Sequence, residues 1–148
     1  MQYKIFDNSL YARFDKGDEV LGGIVEICQK ENIAVASFAG IGGCGEITVG
    51  TYNLEKHDYL TKSMTGMFEM LSVNGNVTLN QDNELFAHAH AMFSYIGDDN
   101  QIQLIGGHLK KAVINLTGEI VITPVKNAKI IRQRNDAVGI NTWNFENL

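Results

Sequence analysis

Apolar and polar positions alternate along most of this chain with a period of two, the signature of half-buried strands. Tyr3 to Asp7 and Leu10 to Phe14 are the first such runs, with Asn8-Ser9 as the turn between them. The period then changes. From Asp18 to about Lys30 the apolar residues Val20, Leu21, Ile24, Ile27 and Cys28 follow the three-four spacing of an amphipathic helix. Asp18 and Glu19 fall in its expected first turn, where acids favour the helix dipole. Gly22-Gly23 weakens the helix by roughly 1 kcal/mol per residue relative to alanine, which points to close packing there.

Strand patterns resume and continue to Pro124. Val35 to Ile41, Glu46 to Leu54, Tyr59 to Met64, Met67 to Val73 and Val77 to Leu79 are the next candidates. Asn74-Gly75-Asn76 has the residue types of a tight hairpin turn. Leu85 to Ile96, Gln101 to Ile105 and Ala112 to Ile122 follow, with Gly97-Asp98-Asp99-Asn100 as a turn and Pro124 ending the last strand. One helix among many strands, without βαβ alternation, predicts an α+β fold on a largely antiparallel sheet. With 148 residues and no repeat or linker, the chain is a single domain, its core at about 3–124 and a C-terminal extension at 125–148.

Composition narrows the function classes. No apolar run approaches the roughly 18 residues of a membrane span. The first residues carry neither a basic nor an apolar leader region, which predicts a cytoplasmic protein. Cys28 and Cys44 match no zinc or redox spacing and are expected to be reduced thiols. The net charge of −5 disfavours nucleic-acid binding by the domain as a whole. Its cations are unevenly spread: residues 1–125 hold 8 Lys and Arg against 15 acids, while residues 126–148 hold 4 against 2. The C-terminal cations are expected on an ordinary solvated strand face.

Gly40-Ile41-Gly42-Gly43-Cys44-Gly45 matches G-x-G-x-x-G, but dinucleotide binding needs that loop to open a helix. Here it runs into Glu46-Ile47-Thr48-Val49, a strand pattern, so these glycines serve a tight turn or a close backbone approach.

The most informative stretch is Phe86-Ala87-His88-Ala89-His90-Ala91-Met92. On a strand His88 and His90 share a face, with alanines on the other. Two neutral imidazoles so placed can converge on zinc or another divalent metal, and His108, after Gly106-Gly107, can supply a third ligand from the neighbouring strand. The competing reading is structural: histidines that pack or hydrogen-bond without metal. His57, beside Asp58, is expected to be exposed. Glu69 and Glu119 are candidates for a further ligand or a catalytic general base. Arg13, between Ala12 and Phe14, is a candidate anion-binding group, with an internal salt bridge as the alternative. A cupin is also built around H-x-H, but Ser94 and Tyr95 stand where its glutamate would fall.

From Tyr11 to Ile122 the chain resembles the plant-and-prokaryote-conserved (PPC) domain family, whose bacterial members are often described as carrying a plant-type DNA-binding motif. The likeness rests on Tyr11-Ala12-Arg13-Phe14 with Gly17-Asp18-Glu19, Gly40-Ile41-Gly42, Gly66-Met67-Phe68-Glu69-Met70-Leu71 and Gly75-Asn76-Val77. His88-Ala89-His90, Gly106-Gly107-His108-Leu109 and Thr117-Gly118-Glu119-Ile120 complete it. The resemblance implies an α+β homotrimer with grouped histidines that bind zinc in some members. Plant members reach AT-rich DNA through AT-hook arms outside the domain, and this chain shows no such arm. Their G-R-F-E-I-L stretch, tied to partner binding, has Met67 in place of arginine here. Three functions stay open: a trimeric metal-binding module with a regulatory role, a DNA-associated protein, and a metal-dependent hydrolase-type enzyme using a nearby glutamate. A trimer interface stabilised by metal-free histidines is a fourth, purely structural reading.

Overall fold

The computed structural model describes residues 1–145. Its elements are β1 (Gln2–Phe6), β2 (Ser9–Phe14), α1 (Val20–Lys30), β3 (Ala36–Asn53), β4 (Asp58–Leu79), β5 (Leu85–Ile96), β6 (Ile102–Pro124), β7 (Ile131–Asn135) and β8 (Ile140–Asn144). This is the α+β arrangement the periodicities predict. Four long strands carry it. β3 pairs with β4 and β6, and β5 pairs with the same two, all antiparallel, so β3, β4, β5 and β6 close into a ring. Closure leaves no free edge among these four over their paired segments. β1 and β2 extend the sheet from the outer edge of β6. The β7–β8 hairpin joins β4 through a single parallel pairing, Leu79 with Ile131.

Several predicted strands prove to be parts of longer ones. Val35–Ile41 and Glu46–Leu54 merge into β3, and its glycine stretch at 40–45 is continuous strand rather than a turn. A Cβ on Gly40 would lie 2.5 Å from the Glu119 carbonyl oxygen, so close backbone approach is what those glycines permit. Gln101–Ile105 and Ala112–Ile122 merge into β6. Tyr59–Met64, Met67–Val73 and Val77–Leu79 form the single strand β4, and Asn74-Gly75-Asn76 is not a hairpin turn. Those three residues are paired on both sides, Gly75 with Phe38 and with Ala89, and tertiary pairing overrides their turn propensity.

The helix begins later than the acids suggest. Glu19 is its N-cap, and its carboxylate accepts hydrogen bonds from Gly22 N at 2.6 Å and, with its other oxygen, from Ala112 N at 3.2 Å on β6. One side chain thus satisfies a first-turn amide and ties the helix to the sheet. Glu19→Ala is expected to cost about 1–2 kcal/mol, measured as a shift in the urea midpoint. Val20, Ile24, Ile27 and Cys28 turn inward against Ala89, Ala91 and Phe93 of β5 and Ala112 and Ile114 of β6. Gly23 admits the buried Phe14 ring, whose Cε1 would be 2.3 Å from a Cβ there. Both cysteines are buried free thiols, and burial pushes Cys28 up to about 11 and Cys44 to about 12, so neither supplies a thiolate near neutral pH. No helix among the described residues is long and apolar enough to cross a membrane.

Candidate metal centre

The ring of strands brings the three predicted histidines together. His90 on β5 is directly paired with His108 on β6, and directly paired residues of an antiparallel ladder point to the same face. His88 lies two residues along β5, on that face too. The ring centroids are 5.5 Å apart for His88 and His90, 5.0 Å for His88 and His108, and 5.6 Å for His90 and His108. One nitrogen from each falls within 4.8 Å of the others. Behind them Ala89 and Ala91 are buried in the core, so the strand is anchored by its small face while the imidazoles stand free of it.

His108 is placed by the two glycines before it. Gly107 has φ +151, and a Cβ there would lie 2.6 Å from the Gly50 carbonyl oxygen on β3. A side chain at Gly106 would meet the Ala91 carbonyl oxygen at 2.6 Å. Only residues without Cβ let β6 lie against both β3 and β5 at this point, and His108 emerges there.

Chemistry follows from burial. Desolvation is the largest cause lowering His88 to about 4, aided by Arg132, His108 and His90. Desolvation likewise lowers His108, followed by His90, Lys110 and Arg132. Both rings are therefore neutral near pH 7 and keep a lone pair for a metal. The Nδ1 atom of His108 is buried and without a hydrogen-bond partner. Leaving such a nitrogen unpaired costs roughly 1–3 kcal/mol, and an orphaned imidazole nitrogen in a three-histidine cluster fits a cation. An ion about 2.0–2.1 Å from each ligand needs nitrogen separations of roughly 3.3–3.6 Å, so from a separation of at most 4.8 Å the imidazoles would close by no more than about 1.5 Å.

A cavity of about 340 Å³ adjoins His88 and His108. The Tyr59 ring lies 4.6 Å from His108, with Lys110 Nζ 5.1 Å above Tyr59. His57, exposed as expected, lines the rim with Asp58. Arg132 of β7 is a residue the sequence analysis missed. Its C-terminal segment was expected to be a solvated face, but Arg132 is only 6% exposed and reaches His88 Nδ1 at 3.3 Å. No pattern sets it apart in the sequence, where Arg134, two residues on, is exposed.

The other predicted site residues lie elsewhere. Glu69 is exposed opposite Ser94, four residues along β5 from His90, or roughly 13 Å at ~3.3 Å per residue. Glu119 is exposed opposite Arg13, eleven residues along β6 from His108. Arg13 forms a surface ion pair with Asp15 at 2.9 Å, the salt-bridge alternative.

A closed sheet with one helix packed on β5 and β6, carrying three convergent histidines, defines a β-rich domain with a potential metal centre at a strand pair. The chain belongs to the Plants and Prokaryotes Conserved (PCC) domain family, whose model matches residues 1–126. Solved structures agree over nearly the full length. A plant- and prokaryote-conserved protein from Pyrococcus horikoshii is 29% identical, with 99% of this chain and 97% of that one covered and a TM-score of 0.81. A candidate DNA-binding protein from Bacteroides thetaiotaomicron is 26% identical, covers 98% and 97%, and has a TM-score of 0.87. A metal-containing protein from Archaeoglobus fulgidus is 25% identical, covers 96% of each chain and has a TM-score of 0.83. No curated protein sequence matches the chain.

Proposed function

We propose that this chain is a homotrimeric metal-binding module, holding zinc or another divalent metal on His88, His90 and His108. The observation that carries the reading is the meeting of three ligand nitrogens, one from each histidine, within 4.8 Å of one another. The metal-containing relative from Archaeoglobus fulgidus supports it. Three protein ligands leave a coordination position open, where a bound metal supplies Lewis acidity. His90 is the exposed member, while His88 and His108 line the neighbouring cavity. Support for the trimer comes from exposed apolar residues on the sheet. Met67 and Leu116 flank Gly43 from neighbouring strands, and Ile41 and Leu71 are exposed as well. Clusters of this kind commonly mark subunit contacts.

A DNA-associated role, the one suggested by the relative from Bacteroides thetaiotaomicron, draws less support from the surface. Phosphate contacts need available cations. Lys111 is paired with Glu46 at 2.8 Å, Lys30 with Glu26 at 2.6 Å, and Arg13 with Asp15. Glutamate-assisted hydrolysis draws less support, because within one chain neither Glu69 nor Glu119 lies beside the histidines.

Elemental analysis of tag-free protein after exhaustive dialysis tests the proposal. We expect about one divalent metal per chain in wild type and none in the His88→Ala/His90→Ala variant, with sedimentation of the same wild-type sample giving a trimer. Wild type that holds no metal and takes up no added zinc would refute the metal reading. Uptake by the variant equal to wild type would move the ligands elsewhere.

A further inference from the structure

The cavity beside the histidines contains a positive charge that has no counter-charge. Arg132 enters from β7, and its guanidinium stays protonated at any ordinary pH. Its bonds all go to neutral acceptors: Nε to Thr78 Oγ1 at 3.0 Å, Nη1 to the Asn141 carbonyl at 3.4 Å, and Nη2 to Asn76 Oδ1 at 2.8 Å and His88 Nδ1 at 3.3 Å. The Phe86 and Trp143 rings lie 5.3 and 6.0 Å from it. Arg132 makes no ion pair among the described residues, whereas the exposed Arg13, Lys30, Lys111 and Arg134 each face an acid. The acid among the cavity's lining residues, Asp58, accepts from the Tyr59 amide at 2.7 Å and forms no ion pair with Arg132. A buried cation without a carboxylate is expensive unless something else supplies the negative charge.

Metal loading sharpens the imbalance. A guanidinium can only donate, so His88 Nδ1 is the acceptor in the 3.3 Å contact. If a metal binds Nδ1, that lone pair is taken. If it binds Nε2, the neutral ring must carry its proton on Nδ1. Either way Arg132 loses an acceptor and regains a free N–H toward the cavity, while neutral imidazoles add nothing to offset the metal's charge. The cavity wall joins apolar and aromatic surface from Tyr52, Tyr59, Phe86 and Ile140 to polar groups at its edge, among them Asn80, Asn141 and Arg134, the last paired with Asp136 at 3.6 Å.

We infer that this cavity binds a small organic carboxylate, gripped by Arg132 beside the histidine-held metal with its carbon skeleton on the aromatic wall. The inference rests on the metal reading above. Arginine's planar fork suits a carboxylate, and a volume of about 340 Å³ suits a small organic acid. Arg132 lies beyond residues 1–126, so the C-terminal hairpin completes a pocket that the family domain begins.

Cobalt(II)-loaded full-length protein allows a direct test, because the visible bands of the ion respond to ligands bound next to it. Titration with butyrate is expected to shift the bands saturably, butyramide to leave them unchanged, and inorganic phosphate to act at least tenfold more weakly. Arg132→Met and Arg132→Lys are each expected to raise the butyrate dissociation constant tenfold or more at unchanged cobalt stoichiometry. If the methionine variant does not fold by circular dichroism, the lysine variant and the butyrate–butyramide pair on wild type decide the matter. Equal responses to butyrate and butyramide, or an unaltered constant in a folded Arg132 variant, would overturn the inference. Phosphate binding as tight as butyrate would overturn the organic acid as ligand. Cobalt binding without any butyrate response removes the carboxylate alone, whereas failure to bind cobalt removes the metal reading and this inference together.

Discussion

Gly75→Val is expected to cost upwards of about 3 kcal/mol of stability, the heaviest loss from any single substitution considered for this chain. The position lies mid-strand in β4, between Phe38 of β3 and Ala89 of β5. A Cβ there would come 2.3 Å from Phe38 Cζ and 2.3 Å from the carbonyl oxygen of His88. Phe38 is buried, so its ring has little room to retreat. The second collision is with backbone, and relieving it displaces β5 at His88 itself. The variant should therefore lose metal affinity as well as stability, and a melting point lowered by roughly 6–12 °C or more is expected from the stability loss alone. Gly17→Ala is the control. Its Cβ meets nothing within 4 Å, and the cost is confined to a backbone at φ +96, on the order of 1–2 kcal/mol. Thermal unfolding of both proteins checks the contrast, and equal losses would show that space at Gly75 is not what matters.

Gly75 also shows why the sequence was only partly legible. Asn-Gly-Asn between two alternating runs has the local chemistry of a hairpin, and nothing within that window reveals a partner strand on each side. The same blindness split β3 and β6, where glycines that look like punctuation are points of close contact between backbones. Elements whose identity is local were plain: the three-four spacing from Val20 to Cys28 predicted α1, and Gly97–Asn100 predicted the turn between β5 and β6. The histidines fall between these cases. Period-two alternation put His88 and His90 on one face, and the short β5–β6 turn brought His108 to the adjoining strand, which is a local hairpin relation. Arg132 lay beyond reach because it arrives from β7, 44 residues after His88, through pairing that no periodicity encodes. Pairing across the sheet also places Glu69 and Glu119, which have suitable chemistry, at register positions distant from the histidines of the same chain.

Zinc at a free concentration 100 times its dissociation constant is expected to raise the stability of the wild-type chain by about 2.7 kcal/mol, provided the unfolded chain binds none. For a domain of this size that corresponds to roughly 5–11 °C in melting temperature. The gain should vanish in His88→Ala/His90→Ala, and in wild type it should fall off only as pH drops below about 4. The acid limb follows from His88, which is held down to about 4 in the fold, chiefly by burial, against an ordinary 6.5. Between those values the unfolded chain binds a proton that the folded chain refuses, so the metal-free protein loses stability as pH falls from about 6.5 to about 4. Above 6.5 both states are neutral at this residue and it contributes no slope; below 4 both are protonated and the slope ends. Because the ring is half-exposed, solvent screening reduces the loss to on the order of 1–2 kcal/mol. Zinc competes with protons only in the folded chain, where His88 keeps its lone pair down to about 4, so the zinc-dependent gain persists along this limb and declines below it. Melting curves at pH 7 and pH 4, with zinc and with chelator, separate the two contributions. His88→Asn keeps an acceptor in reach of Arg132 but cannot titrate. A metal-free His88→Asn protein whose stability falls between pH 6.5 and 4 as steeply as wild type would show that the acid sensitivity arises elsewhere than at His88.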